Sequence, residues 1–473
     1  MISEVEQATV ATDPEQEERI VFNGINARTG DYLFPPLSIS NVNRTFRNRP
    51  EKGRRGLLPG IDPRVLSECG WGVVFHADED PAVREALAPL LDLRRQQAEE
   101  LFQEYSGADG YHGEDKEDFL VARYADVGAV NPSRVPYYIL LVGDPGKIPF
   151  DFQHQLDIQY AVGRVAFDTP EEYARYAASV VAAESGKGGR ERRIGFFSPR
   201  NPDDVAMELS STLLVAPLIK RLGLPSKLTA SRPWKIEKVL GDKARKHRLA
   251  EIYTGPNGPA LVFTATHGMG FPLGDSLQRD HQGALLCGDW PGPVQWQQAI
   301  GADLYFSADD VQADADVRGK IIFHFACHGV GTPVKLDFRE KGERRRKLTR
   351  KPFVARLPQR VLAHPRGGAL AVIGHVERAW PYSFLDKRDN TQIAAFESAL
   401  RLLMAGFPVG AAMEGFNQRY AEISADLTRL LWRKAFHQSY SENKIRELWT
   451  ANNDARNYAV IGDPAVRVSV SQE

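Results

Sequence analysis

Four short, uninterrupted apolar runs constrain this chain more than anything else in it: YYILLVG from Tyr137, LVFTAT from Leu261, KIIFHFA from Lys320 and GGALAVIG from Gly367. Runs this short, rich in β-branched and aromatic residues and lacking polar alternation, are the pattern of strands buried on both faces. Such strands belong to parallel sheets covered by helices. YAVGRVAF and RRIGFFSP read the same way, and helical spacing recurs over Pro170 to Glu184, Met207 to Leu222, Asn390 to Met404 and Pro408 to Glu422. The expected class is therefore α/β. In such a sheet the loops leaving the carboxyl ends of the strands are where side chains converge on a ligand.

Two of those loops carry chemistry. His267 closes ALVFTATHG and Cys327 closes KIIFHFACHG. A histidine after a strand is usually a satisfied structural residue, but the Thr-His-Gly-Met-Gly loop lets backbone approach a peptide closely. A free cysteine usually packs as a small apolar group. Here its strand-end position and the following His328-Gly329-Val330-Gly331 favour a nucleophile. A histidine beside a thiol can stabilise the thiolate and later protonate a leaving amine, so the pair reads as a cysteine peptidase dyad. The rival reading is zinc held by His324, His328, His281 and Cys287. Structural zinc sites pair their ligands two to four residues apart at two places. Cys327 and His328 are instead adjacent, Cys287 has no close partner, and strand alternation turns His324 away from Cys327. No metal and no organic cofactor is expected.

At these residues the chain resembles the caspase-fold cysteine peptidases, and the gingipain branch in particular. Cys327 follows His267 by about 60 residues, in the His-then-Cys order of caspases. YYILLVGDPGKIP from Tyr137 resembles the first strand and loop of a gingipain catalytic domain. Asp157, Gln159, Tyr160, Gly163 and Arg164 resemble the segment that follows. GALAVIGHVERAWPYSFLD from Gly368 resembles the strand that builds the substrate pocket, and NYAVIGDPAVRV from Asn457 the closing strand. The resemblance implies a caspase-like, gingipain-like three-layer α/β sandwich with two consecutive α/β subdomains. It also implies an oxyanion hole made by the amides of Gly268 and Cys327, and a place in bacterial stress or antiviral defence.

Charges nearly cancel, with 60 Lys plus Arg against 61 Asp plus Glu, so no global field favours nucleic acid or an anionic membrane. No apolar run approaches the roughly 20 residues needed to cross a bilayer, and the acidic start lacks the regions of a signal peptide. Three cysteines cannot form a disulfide framework, and a working thiol needs a reducing compartment. A cytoplasmic protein is expected. The chain divides as a disordered tail over 1–19, an N-terminal region with a helix over 20–131 that is a candidate regulatory segment, subdomain A over 132–250 and catalytic subdomain B over 251–473.

The expected activity is a cysteine endopeptidase acting on proteins or peptides, with an inactive caspase-like scaffold that binds a partner as the alternative. Cleavage after a basic residue needs a buried carboxylate, and cleavage after an acidic one a buried cation. Asp144, Lys147, Glu377, Trp380 and Asp386 are the pocket candidates. Basic specificity is favoured by the resemblance, although Lys147 stands where arginine-specific gingipains are expected to carry an acid. Eight basic residues lie between Arg339 and Lys351. They read as a solvated loop, as a phosphate-binding patch lacking interleaved aromatics, or as an activation loop around Arg344, Arg345, Arg346 and Lys347. The last would make the chain a zymogen switched on by a protease or regulatory protein.

Overall fold

The structure, a computed structural model, describes residues 19–20, 37–38, 56–58, 60–125, 128–186, 189–229, 233–296, 298–337, 347–385 and 392–471. The chain divides into two compact units, Met1–Lys52 with Ser424–Arg446 and Gly53–Ile423 with Glu447–Glu473. Described residues of the first unit include the antiparallel pair Arg19–Ile20 with Leu37–Ser38, and a Lys434 to Glu442 ion pair at 2.6 Å. The second unit holds the candidate site.

Its centre is one ten-stranded sheet. In chain order the strands are β1 (Trp71–Phe75), β2 (Phe102–Tyr105), β3 (Tyr138–Val142), β4 (Ala161–Val165) and β5 (Arg193–Ser198). They continue as β6 (Lys235–Leu240), β7 (Leu261–Ala265), β8 (Ile321–Phe325), β9 (Ala371–His375) and β10 (Tyr458–Gly462). Across the sheet they run β6-β5-β7-β8-β9-β10-β4-β3-β1-β2. Every residue of β1, β3, β4, β7, β8, β9 and β10 is buried. Both faces are therefore covered, and the sheet is the middle of three layers, as its unbroken apolar runs require.

One pairing is antiparallel, that of β9 with β10. All the others are parallel, including β10 with β4 and β7 with β8. Strands β5 to β9 thus run opposite to β1 to β4 and β10. The loops after β5, β6, β7, β8 and β9 leave one end of the sheet, and the loop after β3 leaves the other.

Three strands were not expected. WGVVF of β1 and KIEKVL of β6 are short, and FQEY of β2 ends a stretch whose spacing reads as continuous helix. That helix breaks into Pro81–Ala86 and α1 (Ala88–Ala98); the chain turns at Glu99, whose φ is 52°, and β2 pairs with β1. Pairing with a buried neighbour outweighs local propensity here. The segment 20–131 therefore contributes two strands to the sheet, while β5 and β6, within 132–250, pair on the β7 side. Among the helices, α2 (Pro170–Glu184) has the bounds expected from its spacing. The helix expected over Met207 to Leu222 is α3 (Val205–Leu209), a wide π turn over Ser210–Val215, and α4 (Ala216–Leu222). Pro217 accounts for the widening, because its ring would clash with the carbonyl four residues back in a regular helix.

Candidate active site

Register sets the backbones of His267 and Cys327 side by side. Ala265 of β7 pairs with Phe325 of β8, and the ladder continues as the Thr266 N–H donates to the Phe325 carbonyl at 3.1 Å. His267 and Cys327 each lie two residues past that pair. The next residue shows how close the backbones are: a methyl group at Gly268 would stand 1.7 Å from the Cys327 carbonyl oxygen. Only glycine fits there. Gly268 also bridges Leu285, with bonds flanking it from Leu286 N–H to His267 O and from Met269 N–H to Ala284 O. In that arrangement the N–H of Gly268 points away from Leu285.

A third residue, Asp204, completes the arrangement and was not found by sequence reasoning. It caps the start of α3, where Oδ1 accepts the Met207 N–H at 3.2 Å, and Oδ2 lies 2.9 Å from His267 Nε2. Its side chain is 6% exposed against 35% for His267. Burial works to raise its pKa, but the hydrogen bond and charge of His267 outweigh it and hold the carboxylate below its ordinary value. Because the carboxylate accepts, Nε2 carries the proton and Nδ1 is left as an acceptor. The available signal was an acid in the loop after RIGFFS, but nothing in the order of residues says that β5 neighbours β7.

Cys327 is partly buried, and its sulfur accepts the Ala379 N–H at 3.4 Å. Burial pushes the thiol above its ordinary value. The loop after β9 therefore passes directly over Cys327. Glu377 of that loop is fully buried; its carbonyl takes the His328 N–H at 2.6 Å and its Oε2 takes the Asp337 N–H at 3.1 Å. Oε1 has no hydrogen-bond partner among the described residues. Burial, followed by the charge of Asp337, raises its carboxyl to about 7. The Trp380 backbone N–H donates to Asp454 Oδ1 at 2.9 Å, and Arg378 lies 5.9 Å from the centre of the Trp380 ring. Asp454 also accepts from Ser383 Oγ at 2.6 Å and is raised to about 6 by burial. This buried carboxylate ties down the loop, and sequence reasoning did not single it out.

Not every expected residue reaches the site. Asp144 and Lys147 follow β3 and so leave the sheet at the end opposite Cys327. Asp144 Oδ1 caps its own turn on the Gly146 N–H at 2.7 Å, and Lys147 pairs with Glu79 at 3.1 Å. Asp144 lines a cavity with Gly274, Asp275, Gln278, Arg279 and Thr349 to Phe353, but among the described residues no hydrogen bond or ion pair of either residue reaches Cys327 or Glu377, because β9 and β10 are antiparallel and reverse the direction of that half of the sheet. Asp386, Arg344, Arg345 and Arg346 lie outside the described residues. Lys347 is exposed and bridges Lys335. The zinc candidates scatter. His324 is bonded to Tyr253 Oη at 3.0 Å and Gly329 O at 3.1 Å, and His281 to Tyr305 Oη at 2.6 Å and Asp309 at 2.9 Å. Burial lowers both His324 and His328 to about 4, and Cys287 is buried. Among the described residues no three His, Cys, Asp or Glu side chains gather as a metal group, and no helix is long and apolar enough to cross a membrane.

No protein-family model matches the chain, and neither does any curated protein sequence. Solved structures similar to it include the Arg-specific cysteine proteinase gingipain R, at 12% identity and a TM-score of 0.44 over 86% of this chain and 80% of that one. The complex of the pro- and mature domains of RgpB from Porphyromonas gingivalis is similar at 13% identity and a TM-score of 0.46, over 85% and 81%. A structure described only as a protease is similar at 13% and 0.49, over 85% and 79%.

Proposed function

We propose that the protein is a cysteine endopeptidase in which Cys327 is the nucleophile, His267 the acid and base, and Asp204 the residue that positions His267. The observation that carries this reading is the Asp204 to His267 hydrogen bond on a histidine whose register neighbour is a strand-end cysteine. A carboxylate fixed by a helix cap, a histidine with one nitrogen engaged and a thiol beside it form the relay that acyl transfer needs.

The thiol is protonated at rest, so His267 Nδ1 takes the proton as the sulfur attacks the peptide carbonyl. The developing oxyanion faces the amides of Gly268 and Cys327, donors that need no reorganisation as charge grows. The carbon–nitrogen bond breaks as His267 returns the proton to the leaving amine. Water, deprotonated by the same nitrogen, then hydrolyses the thioester. No cofactor enters these steps.

A basic residue before the scissile bond is the favoured substrate feature. Glu377 supports it: a buried carboxylate with one oxygen unpartnered among the described residues, two positions from the Ala379 amide on the nucleophile. Three free cysteines suit a reducing compartment such as the cytoplasm. Activation by cleavage around Arg344 to Lys347, by a protease or a regulatory partner, fits a segment that begins just after Asp337, the residue bonded to Glu377.

The test is labelling by a thiol-directed peptide electrophile, together with cleavage of fluorogenic peptides that vary the residue before the cut. Both should vanish in Cys327→Ala. Labelling that persists in that variant, or an intact and nicked chain both silent toward every peptide and electrophile, would replace this reading with the scaffold.

A further inference from the structure

The catalytic strands have two more neighbours. Beyond β7 lie β5 and then β6, parallel to it, so their loops emerge at the same end of the sheet as His267. Between those loops is a cavity of about 640 Å³ lined by Arg200, Asn201, Asp203, Asp204, Glu208 and Asp242, with Pro202, Val205 and Gly241 among its apolar parts. Asp204, which positions the catalytic histidine, is thus also one wall of this cavity.

We propose that this cavity is a subsite for a lysine or arginine side chain on the leaving side of the scissile bond, and it rests on the peptidase reading above. The direction follows from the chemistry. His267 protonates the leaving amine, so the departing half of the peptide lies on the β7 side of Cys327, and the acyl half lies toward the loop after β9. Strands are about 4.8 Å apart and an extended peptide rises about 3.3 Å per residue. One to two strands beyond His267 therefore meets the second or third residue after the cut.

The charge of the lining selects the ligand. Glu208 is ion-paired with Arg200, which neutralises both. Asp203 and Asp242 are exposed, and no cation among the described residues pairs with them. An independent observation points to a donor-bearing ligand. Asn201 is 4% exposed, and its Nδ2 is engaged by the carbonyls of Cys287 at 3.2 Å and Trp290 at 2.6 Å. That fixes the orientation of the amide and leaves Oδ1, on a residue that lines the cavity, buried without a partner among the described residues. A buried acceptor without a donor is costly unless a ligand supplies one. A guanidinium or ammonium supplies both donors and charge, and Val205, 72% exposed, with Pro202 offers surface for the aliphatic stem.

The experiment uses the full chain carrying Cys327→Ala and fluorescent octapeptides that differ only at the second or third position after the cut, arginine against its neutral isostere citrulline. Anisotropy should show the arginine peptide binding about fivefold to tenfold more tightly, the range for one or two partly exposed charge pairs. The preference should shrink below about twofold when Asp203→Asn and Asp242→Asn are combined. Asparagine tolerates the φ of 57° at position 203, so the fold is kept, and an unchanged melting curve checks this. Equal binding of the two peptides, or a preference that survives both substitutions in a folded protein, overturns the subsite. Cleavage by the chain with Cys327 intact is scored separately. A binding preference without cleavage sinks only the peptidase reading, and cleavage without the preference sinks only the subsite.

Discussion

Asp204 has two jobs that one substitution separates. Asparagine caps a helix as well as aspartate does, so Asp204→Asn keeps the bond to the Met207 N–H and the start of α3. It loses the charge that holds the proton on His267 Nε2. The expected outcome is an unchanged melting temperature with kcat reduced about a hundredfold or more and KM little altered, read from steady-state kinetics. Glu377 makes a second, pH-dependent prediction. Its carboxyl is raised to about 7, so it is largely neutral below that pH and charged above it. If it receives the basic side chain, the ratio of kcat/KM for arginine over citrulline before the cut rises as pH climbs through 7, and Glu377→Gln flattens the rise. The sign for stability is opposite. A raised acid binds its proton more tightly when folded, so its contribution is fully present below the unfolded value of 4.5 and lost as pH rises through 7. That His267 and Cys327 follow neighbouring strands was legible as a proposal because residue type and strand-end position are local signals. Asp204 and Asp454 were not, since a single acid in a loop has no local pattern and gains its role only from what it faces.

Gly163 shows how tightly the elements meet where β4 lies beside β10. A methyl group there would stand 2.2 Å from the Gly462 carbonyl oxygen and 2.8 Å from Pro464 Cδ, both on or next to the backbone of β10. Backbone on both sides cannot yield, so Gly163→Ala should separate β4 from β10 and cost about 2–4 kcal/mol, read as a lower urea midpoint. Six of the ten strands were legible as apolar runs, and the seventh, β10, only through the resemblance of NYAVIGDPAVRV to a closing strand. Of the three missed, β2 and β6 are the edge strands, where burial is uneven and the local pattern weakens, each with a single fully buried residue, whereas β1 is buried throughout and its apolar run WGVVF was not singled out. FQEY shows the limit well: four residues with no strand signature become β2 because Trp71, Gly72, Val73 and Val74 present an open ladder beside them.

At the scale of the molecule, the segment 338–346 joins halves that stay together without it. β8 precedes it and β9 follows it, yet the two pair through Ile321 with Ala371, Ile322 with Val372 and Phe323 with Ile373. Gly331 and Thr332 pair with Val354 and Phe353 on either side of the same segment. A chain nicked at Arg344 to Lys347 should therefore run as one species in gel filtration and as two bands on a denaturing gel. If the segment restrains the loop after β9 through Asp337 and Glu377, the nicked form should also cleave peptides faster. Separation of the fragments would show that the covalent link, rather than the sheet, holds the halves. The sequence by itself determined the α/β class and most strands, and it singled out His267 and Cys327 as the candidate base and nucleophile, because apolar continuity and residue chemistry are local properties. The tertiary structure alone decided that β9 and β10 are antiparallel, which sends Asp144 and Lys147 to the far end. It alone decided that β5 lies beside β7, which hands Asp204 to His267. Strand order and direction are set by which buried faces and backbone ladders satisfy one another across the whole sheet, and no stretch of residues encodes that alone.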